Sequence, residues 1–368
     1  MVQLESYKTA SCGSSMKMGK HGCCSAFLFV FSVVLFSLTS AHAVAAADSV
    51  LTQGVKLGKD ISDIFCPQRP PLGKYLDQAL NETDFSMEKM YVFASLARQA
   101  YNAPAAERNL RNEGFDEIKL ISNDQTSFSA FLARRGSHAI LAISGTFGIQ
   151  DALQDLKFAT VPDSKKLMPG RLHQGFEEAI DSVWPLTLGI LSQGSFAGVT
   201  IHVAGHSLGA ATGILAAARL AASGFNVAGV YAFASPRVGN YVFANWYDNL
   251  LGDRTYRFIR GVDVVPRVPP DSSDSVEFAS LFPEWRADEL RRLFERFGYK
   301  HVGKLFEFER NADATTPEWP SGTDMGYWIW LRRQFASANP LLSLLSSRDA
   351  ALHHIPDAFV CYPLQRMK

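Results

Sequence analysis

"VTIHVAGHSLGAATGILAAARL" (199–220) passes from a β-branched, alternating stretch into an alanine-rich one, with Gly205, His206, Ser207, Leu208 and Gly209 at the change. The first part reads as a strand and the second as a helix. A serine set between two glycines at such a junction needs a reason. A serine hydroxyl is a weak nucleophile, and a base reaches it only if the side chain projects from the fold. A tight strand-to-helix turn supplies that projection and tolerates no bulk on either side. It also places Ser207 at a helix N-terminus, where unpaired N–H groups and the helix dipole favour negative charge on a reacting oxygen. Ala210, Ala211, Gly213 and Ala216 let the helix lie close to the sheet.

Working outward, short β-type runs precede the turn: "FDEIKLIS", "SFSAFLAR" and "HAILAIS", the last ending at Gly145. "SMEKMYVFASLARQAYN" (86–102) has helical periodicity with Ser86 as N-cap, and a long helical stretch is expected near 171–192. "VAGVYAFAS" (227–235), "TYRFIR" (255–260) and "HVGKLFEFER" (301–310) read as further strands. Alternating strands and helices predict an α/β fold, its central sheet mostly parallel or mixed and flanked by helices. Two regions break the alternation. Residues 271–298 are polar and then helical, and 311–347 contains the apolar "DMGYWIWLRRQFASANPLLSLLSS" (324–347); both read as helical insertions near the C-terminus.

The 368 residues are 47% apolar and 20% charged, an ordinary globular composition, and 36 basic residues balance 36 acidic ones. That balance gives no footprint for nucleic acid as a partner. "AFLFVFSVVLFSL" (26–38) follows Lys17 and Lys20 and leads into small residues. Residues 1–47 are therefore expected to be a signal peptide, cleaved after Ala43 or Ala47, ahead of a single domain over 48–368. The rival is a membrane anchor over 26–47, but the apolar core is shorter than the ~20 residues that span a bilayer. Cleavage would leave Cys66 and Cys361, an even pair bound for an oxidising compartment or else two unrelated buried thiols. Asn81-Glu82-Thr83 matches a glycosylation sequon.

A nucleophilic serine needs a histidine base and a carboxylate to orient it, in the order serine, acid, histidine for α/β-hydrolase chains. Asp263, just past a strand in "RFIRGVDVVPRVPP" (257–270), stands where the acid is expected. Asp253, Asp271 and Asp274 read as turn formers. Of the later histidines, His301 opens a strand and reads as structural, while His353 and His354 follow all the core strands.

These residues resemble the class 3, or fungal-type, lipase family of the α/β-hydrolase superfamily. "LHQGF" (172–176), "GHSLGA" (205–210), "FASPRVGN" (233–240), "DVVPRVPP" (263–270) and "YKHVGK" (299–304) look like family blocks in order, and "ISGT" (143–146) like the stretch that usually reads Arg-Gly-Thr or Arg-Gly-Ser. The resemblance implies an α/β-hydrolase fold and a secreted serine ester hydrolase without metal or other cofactor. Its substrate would be an acyl lipid at an oil-water or membrane interface, with no obligate protein partner. Triacylglycerol hydrolysis is the expected activity; a phospholipase A1, a feruloyl-type esterase and a non-catalytic lipid-binding protein are the alternatives.

By position, the resemblance makes Ser207 the nucleophile, Asp263 the acid and His354 the base, with Phe359 in the usual place five residues after the histidine. His353 stands where the family often has Asp. Thr146 and Leu208 would supply the oxyanion hole, and Cys66 and Cys361 would form one disulfide, as fungal members join theirs. "GTFGIQDALQDLKF" (145–158) reads as a helix with Ile149, Ala152, Leu153 and Leu156 on one apolar face. From 147 to 158 it is expected to be either a lid or a fixed surface helix.

Overall fold

In the computed structural model of the chain, the structure describes residues 66, 68–145, 159–260, 263, 265–271, 287–308, 356–364 and 366–367. The expected signal peptide or anchor, Thr146, the 147–158 helix, His353, His354, the 311–347 insertion and residues 272–286 of the other insertion lie outside the described residues.

Among the described residues the main sheet has seven strands in the order β1-β2-β3-β6-β7-β9-β11. They are β1 (Glu117–Asn123), β2 (Phe128–Arg135), β3 (His138–Ile143), β6 (Thr200–His206), β7 (Val227–Phe233), β9 (Thr255–Arg260) and β11 (Lys304–Phe308). β1, β2 and β3 pair antiparallel; from β3 through β11 every pairing is parallel. The sheet is thus mixed and mostly parallel, as the alternation predicted. The central strands β3 and β6 are buried along nearly their whole length, the pattern of a strand covered on both faces. A small antiparallel sheet runs in the order β10 (Tyr299–Lys300), β8 (Gly239–Asn240), β5 (Leu172–His173) and β4 (Thr160–Val161).

Each face of the main sheet has its own core. On one lie α1 (Gly73–Asn81), α2 (Met87–Gln99), α3 (Ala103–Asn112) and α9 (Pro356–Leu364), with Phe93, Phe131, Phe233, Phe258 and Phe359 buried together. On the other lie α4 (Gln174–Asp181), α5 (Trp184–Leu191), α6 (Leu208–Ala222) and α7 (Tyr241–Leu251), around Leu172, Val203, Ile214, Leu215 and Phe243. Full burial of side chains of this size stabilises the fold by about 1.5–3 kcal/mol each. Ser86 caps α2 as expected, its hydroxyl accepting from the Lys89 N–H at 3.2 Å.

One expected helix is divided. Residues 172–173 enter the small sheet, where the His173 N–H donates to the Val238 carbonyl. α4 then ends at Asp181, and α5 starts at Trp184 with Pro185 in its first turn. Proline has no N–H to continue the ladder, so it suits a new start. The insertion beginning at 271 is helical where it is described, as α8 (Ala287–Phe297), with Phe294 buried.

Candidate active site

The junction after β6 is strained. Ser207 has φ 59° and ψ −127°, outside the ordinary regions for a residue with a side chain. Its N–H donates to the Phe233 carbonyl at 2.8 Å, and its carbonyl accepts from the Ala210 N–H at 3.0 Å. The glycines are required by close approach. A Cβ on Gly205 would stand 2.2 Å from the Gly209 carbonyl oxygen, and one on Gly209 2.3 Å from the Ile143 oxygen and 2.4 Å from that of Ser144. The helix therefore crosses both its own strand and the end of β3 with no room for a methyl group. Leu208 is the first residue of α6, so its N–H has no partner within the helix ladder.

Asp263 lies beyond the end of β9, two strands from β6 on the same edge of the parallel sheet, and is buried. Its N–H donates to the Arg260 carbonyl at 3.1 Å, and its Oδ1 accepts from the Val265 N–H at 3.0 Å. The loop that follows is fastened from the β7 side by Arg237, a residue to which the sequence analysis gave no role. The buried Arg237 guanidinium donates through Nη1 to the carbonyls of Arg267 (2.6 Å) and Pro269 (2.8 Å), and through Nη2 pairs with Asp271 at 2.9 Å. Its own N–H reaches the Val268 carbonyl. His301 completes the fastening, donating from Nε2 to the Pro266 carbonyl at 2.7 Å. Burial, with the nearby charges of Arg257, Arg237 and Arg267, holds its imidazole pKa well below the ordinary value. That is a neutral histidine with a structural role, although it lies between β10 and β11 instead of opening a strand, since β11 begins at Lys304.

Arg219 anchors the far side of α6. Fully buried, it pairs with Asp163 (2.9 Å), Glu177 (2.6 Å) and Asp181 (2.6 Å), and lies over the Trp184 ring at 5.5 Å. Asp163 in turn accepts from the N–H groups of Leu167 and Met168. α6, the helix that follows Ser207, is thereby tied to 163–168, the strip that follows β4.

Cys66 and Cys361, the pair expected to join, are both buried, and the structure holds no sulfur–sulfur bond between them. The Arg69 guanidinium, held by Asp357 at 2.7 Å, donates to the Cys361 sulfur at 3.9 Å. Among the described residues no group of three or more His, Cys, Asp or Glu side chains could hold a metal ion, and no described helix is long and apolar enough to cross a membrane.

A strained serine on a strand-to-helix turn, over a mostly parallel sheet covered on both faces, defines a hydrolase of the α/β-hydrolase class. Residues 140–273 match the family model for lipase (class 3). A secreted mono- and diacylglycerol lipase of Malassezia globosa is 31% identical over 218 residues, which are 55% of this chain and 70% of that protein. The chain belongs to the class 3 lipase family, and it is a carboxylic ester hydrolase. A phospholipase A1 of Oryza sativa subsp. japonica is 45% identical over 76 residues, 19% of each chain. Among solved structures, the mono- and diacylglycerol lipase of Aspergillus oryzae matches at 22% identity with a TM-score of 0.47, covering 64% of this chain and 84% of that one. The chain spans less than half the length of several further curated relatives.

Proposed function

We propose that the protein is a secreted acylglycerol lipase that works through an acyl-enzyme on Ser207. The conformation of Ser207, strained between two glycines that admit no Cβ, carries this reading. Fungal relatives named as secreted mono- and diacylglycerol lipases support the substrate class and the export. They favour partial glycerides over the triacylglycerols that the sequence analysis expected. In this scheme His354 takes the Ser207 proton as the hydroxyl attacks the ester carbonyl, and Asp263 stabilises the imidazolium that results. The N–H groups of Leu208 and Thr146 receive the oxyanion. His354 then protonates the leaving alcohol, and water repeats the cycle on the acyl-enzyme. Substrate would be met at an oil-water or membrane interface.

A panel of mono-, di- and triacylglycerols, phospholipids and a soluble ester tests the proposal, read with Ser207→Ala as the control. The expected result is fastest hydrolysis of partial glycerides, with the mutant folded but at least ~10³-fold slower. Near-normal turnover by the folded mutant would overturn the assignment of Ser207. A preference for phospholipid would overturn the substrate class alone.

A further inference from the structure

Tyr101 sits in the short turn (Ala100–Asn102) between α2 and α3, where the sequence gives no hint of a role. Its hydroxyl lies 2.7 Å from Nδ1 of His206, the residue before Ser207. The Gly145 backbone, just past the end of β3, packs against the same hydroxyl. A Cβ on Gly145 would stand 2.5 Å from the Tyr101 oxygen, 2.7 Å from the His206 carbonyl oxygen and 2.9 Å from Cβ of Ser207. The Gly145 backbone is therefore wedged between the phenol and the serine, and forms the wall on which the serine side chain rests.

The phenol hydroxyl and His206 Nδ1 share one proton across 2.7 Å, the phenol being able either to donate or to accept. Burial raises the phenol pKa, so the proton stays in place through the working pH range. The phenol thus joins the end of β3, by close packing against Gly145, to the turn, by its hydrogen bond to His206.

We propose that Tyr101 is a positioning residue for acyl transfer, one that locks the Gly145 wall against the turn and so fixes the direction in which the Ser207 hydroxyl leaves the backbone. This rests on the reading of Ser207 as nucleophile. Tyr101 acts through Gly145 and His206, and its removal disturbs attack more than substrate binding. A misplacement of about 1 Å at a reacting atom slows reaction by up to ~10²-fold.

The test measures the rate of Ser207 labelling by a fluorophosphonate, together with kcat and KM on a soluble p-nitrophenyl ester. Wild type is compared with Tyr101→Phe, His206→Asn and His206→Leu. Asparagine offers a side-chain oxygen near the Nδ1 position and leucine offers none. Tyr101→Phe should label roughly 10-fold or more slowly, with kcat falling in parallel and KM within about twofold. His206→Asn should recover most of the labelling rate that His206→Leu loses. Wild-type labelling and kcat in folded Tyr101→Phe would overturn the inference. So would equal rates in the two His206 variants, which decide the matter if Tyr101→Phe does not fold. An unlabelled wild type would overturn the reading of Ser207 itself, and this inference with it.

Discussion

Gly209 and Ile143 approach so closely that a single added carbon on the glycine would stand 2.3 Å from the Ile143 carbonyl oxygen. The contact has backbone on both sides, so no side chain can swing away to relieve it. Gly209→Ala is expected to push α6 off the end of β3, lowering the melting temperature by on the order of 10 °C or preventing folding. Gly213→Ala, one turn along the same helix, would bring its Cβ to 3.2 Å from Cγ1 of Val203, a side-chain atom that can shift. That variant should melt within a few degrees of wild type, and thermal denaturation of the pair checks the difference.

Arg237 holds the loop after Asp263 by two carbonyls and one carboxylate at once. Arg237→Lys keeps the charge but has no planar fork to span those acceptors. If Asp263 is the acid, as proposed above, ester hydrolysis should fall roughly 10-fold or more through kcat, since the loop that fixes it is released. Arg237→Met should lose stability as well, because the carbonyls of Arg267 and Pro269 lose their donor and Asp271 its counter-charge. Steady-state kinetics alongside chemical denaturation separate the two effects.

Removing Arg219 would leave Asp163, Glu177 and Asp181 facing one another with no arginine among them. Breaking a buried ion pair from one side costs about 3–5 kcal/mol. Arg219→Met is expected to show a loss of that order in urea denaturation at neutral pH. The loss should shrink as pH falls toward 4, where the carboxylates neutralise themselves. Glu177 takes its proton first, because burial already raises its pKa.

His173 is stacked on Phe176 at 3.9 Å between ring centres, and neither ring nitrogen has a hydrogen-bond partner among the described residues. Burial depresses its pKa to about 3. The unfolded chain, with an ordinary imidazole near 6.5, binds a proton between those two values while the folded protein does not. Stability is therefore full above about pH 6.5 and falls with pH below it, by about 1.4 kcal/mol per unit for one histidine. His202, buried beside His138 and also depressed to about 3, adds to the same slope. His173→Phe should match or exceed wild-type stability at pH 7 and lose less on acidification to pH 5. Parallel acid limbs for the two proteins, followed by melting temperature, would refute the assignment.

What the sequence made legible is what local chemistry dictates. The turn at Ser207 was readable because small residues, a β-branched run and an alanine-rich run coincide within 22 residues, and Asp263 because prolines and a preceding strand frame it. The long-range devices were not readable. Arg219 looks like any helix arginine until Asp163, Glu177 and Asp181 arrive from other elements. Tyr101 lies 105 positions from the histidine it touches, and Arg237 lies 30 and 32 from the carbonyls it holds. Periodicity over 171–192 predicted one helix because apolar spacing carries no information about Val238, whose carbonyl draws His173 into a strand. Nothing in the spacing of the two cysteines announces the arginine beside Cys361.

Asp357 at the head of α9 is clasped by Arg69 at 2.7 Å and Arg98 at 2.5 Å, across 288 and 259 positions of chain. His354 is three residues before it. On a ribosome, Arg69 and Arg98 emerge long before the carboxylate that joins them, and α2 waits with an uncovered flank until α9 is made. The clasp therefore closes only once α9 is present. Under the proposed function, a chain truncated between Asp263 and His354 keeps the serine, its turn and the proposed acid but lacks the proposed base, and it is expected to be without hydrolytic activity.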